Sequence, residues 1–221
     1  MSFVPEIYCI HAEPRTKAAA LPECPNPPVR PQGSGRPLVL KFHSSVPRGV
    51  DVAEGRAAKR DTNYYLQAIR DASDRSISML IDCAGGEAGS AAAIALALLH
   101  HPWRVTARIT GRCSSAAIFL ALAADFRTIV PGGTVLIHRS ARLCTPEQFE
   151  AMRQLSEAAK AAINESLTAT DDLTAAVLTS RLGITELRAR DWMTQGRNWT
   201  ATEALEFGFV HAIEDHAEVA S

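Results

Sequence analysis

The chain has 221 residues, 47% of them hydrophobic, and a formal net charge of -1. That length and composition suffice for one well-filled globular core, and near-neutrality removes the electrostatic argument for nucleic acid or an anionic membrane surface as a partner. Five cysteines, Cys9, Cys24, Cys83, Cys113 and Cys144, form no CxxC pair, which argues against a zinc site or a disulfide framework and for a reducing, cytoplasmic compartment.

Residues 1–37 hold Pro25, Pro27, Pro28, Pro31 and Pro37 with Gly33, Ser34 and Gly35, and are expected to form an irregular N-terminal arm. The arm lacks the basic and apolar regions of a secretory signal. No run reaches the roughly 18 apolar residues of a membrane span; the longest, Ala91 to Leu99, meets His100, His101 and Pro102. A folded domain is expected over 38–216, with a tail at 217–221.

Leu38 to Phe42 reads as a short strand and Thr62 to Ala72 as a helix. A buried strand from Ile77 to Ile81 runs into Gly85-Gly86, followed by an Ala/Leu helix from Ser90 to Leu99. Val105 to Ile109 is the next strand, and after Gly111 comes a very apolar helix from about Ser115 to Ala124. Such alternation implies βαβ units and a mainly parallel sheet, an α/β fold. Short strands Thr128 to Val130 and Thr134 to Ile137 flank the turn Pro131-Gly132-Gly133. Beyond His138 the pattern turns helical. Thr145 to Gln148 is a capping box, and Phe149, Met152, Leu155, Ala159, Ile163 and Leu167 follow at helical intervals, predicting one long amphipathic helix over 146–167. Helices over Leu173 to Leu182 and Thr185 to Trp192, a capping box at Thr200 to Glu203 and a last strand over Phe209 to Ile213 complete the order.

Three segments carry the chemistry: Asp82-Cys83-Ala84-Gly85-Gly86, Gly111 through Ser115 to Ala124, and Thr134 to His138. A serine beside a histidine and convergent backbone amides is the arrangement for nucleophilic acyl transfer, because an unassisted hydroxyl is a weak nucleophile at neutral pH. Taken singly, each has a plainer role: a helix-capping serine, a polar strand end, a glycine turn. In order, context and spacing together, they resemble the proteolytic subunit of the bacterial Clp protease. The resemblance spans about Ile77 to Ile213 and includes Thr200-Ala-Thr-Glu-Ala-Leu-Glu-Phe-Gly-Phe-Val210.

The resemblance implies a ClpP/crotonase-like spiral of βαβ units with a projecting handle helix. It implies Ser115 as nucleophile, His138 as general base, and the N–H groups of Gly86 and Ala116 as the oxyanion hole. It further implies a serine endopeptidase that acts on peptides or unfolded proteins, assembles as a homo-oligomeric ring, and is fed, if at all, by a separate AAA+ unfoldase. No cofactor or metal is expected, and no GxxxxGK[ST] or GxGxxG loop is present for ATP. The chain departs from the family in having Gly196 where the family carries its aspartate. Asp191 is the nearest carboxylate and Asn198 the nearest other polar neighbour; a backbone carbonyl or water is the remaining way to orient His138. Lys160, on the polar side of the long helix, is a minor candidate base. Two rivals remain: a crotonase-like acyl-CoA enzyme with the same oxyanion hole, and a catalytically impaired ring subunit.

Overall fold

Every second side chain from Ile77 through Met79, Ile81 and Cys83 is buried, the two-residue period of a strand with one face sealed against a core. The computed structural model describes residues 8–11, 30–46 and 61–214. Much of the Pro-rich arm and the tail at 217–221 lie outside them. In chain order the elements are β1 (Tyr8–His11), β2 (Leu38–Val46), α1 (Thr62–Asp71), β3 (Ile77–Gly86), α2 (Ala88–Leu99) and β4 (Val105–Ser114). There follow α3 (Ala117–Leu122), β5 (Phe126–Ile129), β6 (Thr134–Leu136), β7 (Ala141–Cys144), α4 (Pro146–Arg153) and α5 (Glu157–Leu182). The last are α6 (Glu186–Gln195), β8 (Asn198–Thr200), α7 (Ala201–Glu206) and β9 (Ala212–Ile213).

The main sheet runs β2-β3-β4-β5-β9, all neighbours parallel. This is the α/β order that the alternation predicted. β4 is long enough to serve two partners in turn: Thr106 to Ile109 pairs with β5, and Arg112 to Ser114 pairs with β6. The Pro131-Gly133 turn exists, with Gly133 N–H donating to Val130 O at 2.8 Å. The strands it joins lie end to end along β4 instead of pairing with each other. β8 then adds to β6 antiparallel.

All six side chains of α3 are buried. It packs on β3, β4, α2 and α5, and its carbonyl end meets three guanidinium groups. Arg181 donates to Leu122 O (2.6 Å) and Ala124 O (2.9 Å), Arg127 to Ala124 O (3.2 Å), and Arg30 to Ala123 O (3.2 Å). Cations at a helix C-terminus satisfy orphan carbonyls and oppose the negative end of its dipole. Burial pushes the Arg127 guanidinium down to about 10, so it remains protonated at neutral pH.

Three sequence expectations are corrected. The amphipathic run over 146–167 is not one helix. It breaks after Arg153 and restarts when the Ser156 hydroxyl accepts from Ala159 N–H (3.2 Å). Conversely, α5 runs unbroken through the expected gap before Leu173, because nothing there opposes helix until Gly183 ends it in the left-handed conformation (φ 66°). Finally, part of the arm expected to be irregular is ordered: β1 pairs antiparallel with β7, Tyr8 opposite Cys144 and His11 opposite Ala141.

Candidate active site

The carboxyl ends of β3, β4 and β6 converge, and each delivers one of the sequence motifs. At the end of β4 the chain turns into α3 through Ser115, whose φ is +55°, one of two non-glycine residues with positive φ among the described residues. A side chain held in that region is strained by roughly 1–3 kcal/mol and persists where its surroundings dictate it. Here the neighbour is Gly85, itself at φ +98°. A Cβ on Gly85 would lie 2.5 Å from Ser115 Cβ and 2.7 Å from Ser114 O, so only glycine lets the two turns touch. Helix α3 has Ala116 at its N-cap and no side-chain capping bond. The Ser114 and Ser115 hydroxyls are therefore not employed as caps, which removes the plainer reading of this motif.

Ser115 N–H donates to Leu136 O at 2.9 Å, tying the serine to β6, the strand that leads to His138 two residues later. His138 Nδ1–H donates to Arg139 O at 2.6 Å. A carbonyl can only accept, so Nδ1 carries a proton, and in the neutral ring Nε2 is the nitrogen that keeps its lone pair. Ser115, Ala116, Gly86 and His138 line one cavity of about 560 Å³, together with Ile118, Phe119, Ile163 and Leu167. Among the described residues no hydrogen bond joins Ser115 Oγ to the imidazole. Such contacts are commonly loose before substrate binds.

Glu87, the N-cap of α2, also lines this cavity. Burial pushes its carboxyl up, but bonds from the Ser90 hydroxyl, Ser90 N–H and Gly89 N–H outweigh that and hold it below the usual carboxylate range. Cys83 and Cys113 face each other across β3 and β4. Burial raises both thiols, which leaves them protonated and unreactive.

The residues considered for orienting His138 separate. Gly196 does lie beside His138: a Cβ there would be 3.7 Å from His138 Cβ, and nothing on a glycine can bind the ring. Asp191 is not brought to His138. Its carboxylate accepts from Gln195 Nε2 at 2.7 Å on the exposed side of α6, in a separate depression with Thr185, Leu187 and Arg188. Asn198 lies opposite Leu136 in the β8–β6 pair, and is exposed. Lys160 pairs with Glu157 at 2.8 Å and lines a different groove, so it does not reach Ser115. The backbone carbonyl of Arg139 holds the ring instead.

Sequence reasoning missed Asp171. Its Oδ1 accepts from Ser140 N–H at 2.6 Å and its Oδ2 from Arg139 Nε–H at 3.3 Å. A signal was available: Thr168, Asp171, Thr174, Ala175 and Leu178 recur at helical spacing and form the buried face of α5, and a carboxylate on such a face needs partners. Among the described residues no group of three His, Cys, Asp or Glu could hold a metal, and no helix is long and apolar enough to cross a membrane.

A family model described as Clp protease matches residues 57–217. No curated protein matches. Among solved structures the chain is similar to a point mutant of ClpP1 from Listeria monocytogenes, with 16% identity over 81% of this chain and 92% of that one and a TM-score of 0.59. At that identity the likeness speaks for the fold, which is that of ClpP.

Proposed function

The chain belongs to the Clp protease family, and from that premise we propose that it is a serine peptidase with Ser115 as nucleophile and His138 as general base. The observation that carries the reading is the shared cavity, in which a strained serine, free of capping duty, meets an imidazole whose Nε2 is left as the acceptor. In this reading Nε2 takes the Ser115 proton as Oγ attacks the peptide carbonyl. The N–H groups of Gly86 and Ala116 stabilise the oxyanion, the imidazolium returns its proton to the leaving amine, and water then releases the acyl group by the same route. The hydrophobic lining by Ile118, Phe119, Ile163 and Leu167 fits an apolar side chain of an unfolded polypeptide.

The test is a fluorophosphonate probe. It should label Ser115, as read by mass spectrometry, and Ser115→Ala should abolish labelling and peptide hydrolysis together, a loss on the order of 10⁴-fold or more. Label on Ser114, or none at all, would remove the reading. A catalytically impaired ring subunit is the second reading, and Gly196 beside His138 is the observation that favours it. Little or no hydrolysis by a well-folded, ring-sized wild type would select it.

We extend the proposal to a homo-oligomeric ring, with an AAA+ unfoldase as the class of partner that would feed it. Phe149 and Met152 of α4 with Ile163 and Leu167 of α5 line an apolar groove of about 270 Å³, a surface better buried against another subunit than left in water. Light scattering at micromolar concentration should give a multiple of the 23.8 kDa chain mass; a monomer would refute the ring.

A further inference from the structure

We infer that Asp171 is the positioning residue for His138 and acts on it through the peptide bond between Arg139 and Ser140. The inference rests on the reading of His138 as general base. One amide carries both contacts: its carbonyl accepts from His138 Nδ1–H at 2.6 Å, and its N–H donates to Asp171 Oδ1 at 2.6 Å. The amide is planar, with its oxygen and hydrogen on opposite sides, so imidazole, peptide and carboxylate lie in series. Hydrogen bonds in series polarise one another, and an amide whose N–H is held by an anion is a stronger acceptor at its oxygen. Negative charge is thereby expressed at the carbonyl that holds the ring, while the carboxylate itself stands one peptide away.

The placement of Asp171 is specific to this task. It is 5% exposed, and its hydrogen bonds go to the two residues that form that peptide: Ser140 through its N–H and Arg139 through its guanidinium. The other polar residues on the buried face of α5 behave differently. Thr168 and Thr174 return their hydroxyls to carbonyls of their own helix, Asn164 and Thr170. Meanwhile the position that touches His138 directly, Gly196, carries no side chain. The acid missing there is supplied from α5 by relay. No proton leaves the imidazole for Asp171: the Ser115 proton goes to Nε2 and returns to the leaving group, and the relay fixes the tautomer and favours the transient cation.

Among the described residues the other charged or titratable groups around the ring are few. Arg139 adjoins it in sequence and pairs with Asp171; His11 of β1 meets Ser140 O through Nδ1 at 3.1 Å; and Glu87 and Arg142 line the cavity. Neutralising Asp171 therefore removes an anion from the neighbourhood of the ring, which disfavours an imidazolium.

The experiment uses the full chain. In the wild type, the nitrogen-15 spectrum of His138 should report the Nδ1–H tautomer. Asp171→Asn keeps an acceptor for Ser140 N–H but loses the charge. It should slow fluorophosphonate labelling of Ser115 by about tenfold to a hundredfold, less than the ~10⁴ lost when a directly bonded orienter is removed. The acid limb of the rate–pH profile should also move to lower pH, and adding Gly196→Asp to this variant should recover rate by placing a carboxylate beside the ring. A merely structural Asp171 would leave the limb unmoved and would not be rescued from position 196, and that result overturns the inference. So does an Nε2–H ring in the wild type, which is readable even if Asp171→Asn fails to fold. If the wild type takes no label, the peptidase reading fails instead, and the wild-type ring spectrum still decides whether the relay sets the tautomer.

Discussion

Ser115 and His138 face the same cavity, yet their two sides are held by different kinds of force. On the serine side the constraint is steric. Ser115 sits at φ +55° against a glycine with no room for a single methyl group, on a core strand and ahead of a wholly buried helix. On the histidine side the constraint is polar: a 2.6 Å bond to a carbonyl, a peptide held in turn by a buried carboxylate, and a glycine where a side chain would otherwise stand. Steric placement fixes an atom sharply and tolerates almost no change of volume. Polar placement allows a group to be supplied from another element, provided the chain of hydrogen bonds stays complete. The acid can therefore be relocated in this architecture, whereas the Gly85–Ser115 contact cannot.

Gly85→Ala should break the steric side and is expected to have the largest effect. The new methyl would press on Ser115 Cβ and a backbone oxygen, neither of which can swing aside, and the residue would have to hold φ +98°. The cost should be on the order of 2–4 kcal/mol, with labelling at Ser115 largely lost. Denaturant unfolding monitored beside probe labelling checks both; a stable and fully labelled variant would show that the contact is not the constraint.

The next prediction separates the site from the rest of the molecule. His101 and His211 are held below their ordinary value near 6.5, in each case chiefly by burial, with Arg30 near the first and Arg127 near the second. The unfolded chain therefore takes up these protons first as pH falls. Stability contributed by the neutral rings should be present above about pH 6.5 and be lost as pH drops through the lowered folded-state values. Thermal unfolding midpoints should fall between pH 7 and pH 5. Most of that fall should vanish in a His101→Gln, His211→Gln double variant, while Ser115→Ala, which removes no group that titrates in this range, leaves it in place.

The smallest effect is expected from Asp191→Ala. Its carboxylate engages Gln195 on the exposed side of α6, so kcat for a small peptide should change less than about twofold and stability by less than about 0.5 kcal/mol. A hundredfold loss would mean that the polar side draws on α6 after all.

What the sequence disclosed and what it hid follow the same division. The sheet, its strand–helix alternation and the Gly85, Ser115 and His138 segments were legible because each depends on local apolar periodicity and on turn residues. The break at Ser156 was not, since a three-residue interruption preserves the three-and-four spacing of apolar residues on either side. β7 and β8 are short and gain their partners from far along the chain. Gly196 takes the family's acid position by its neighbours in sequence, whereas Asp191 is a candidate only through nearness along the chain. The bond from Asp171 joins a side chain to a backbone N–H 31 positions away, and a backbone donor leaves no mark in the sequence.

The pairing of β1 with β7 has a consequence for how the molecule comes together. Ser140, Ala141 and Arg142 line the cavity, and the strand that secures this stretch is drawn from Tyr8–His11, which β2 to β6 separate from it in chain order. Closing so long a loop costs chain entropy that only a few ladder bonds repay, and contacts of that separation form late in folding. The core can thus be complete, with Ser115 already seated against Gly85, while one rim of the cavity still awaits a strand from upstream. Closure of the binding surface is then expected to follow formation of the core.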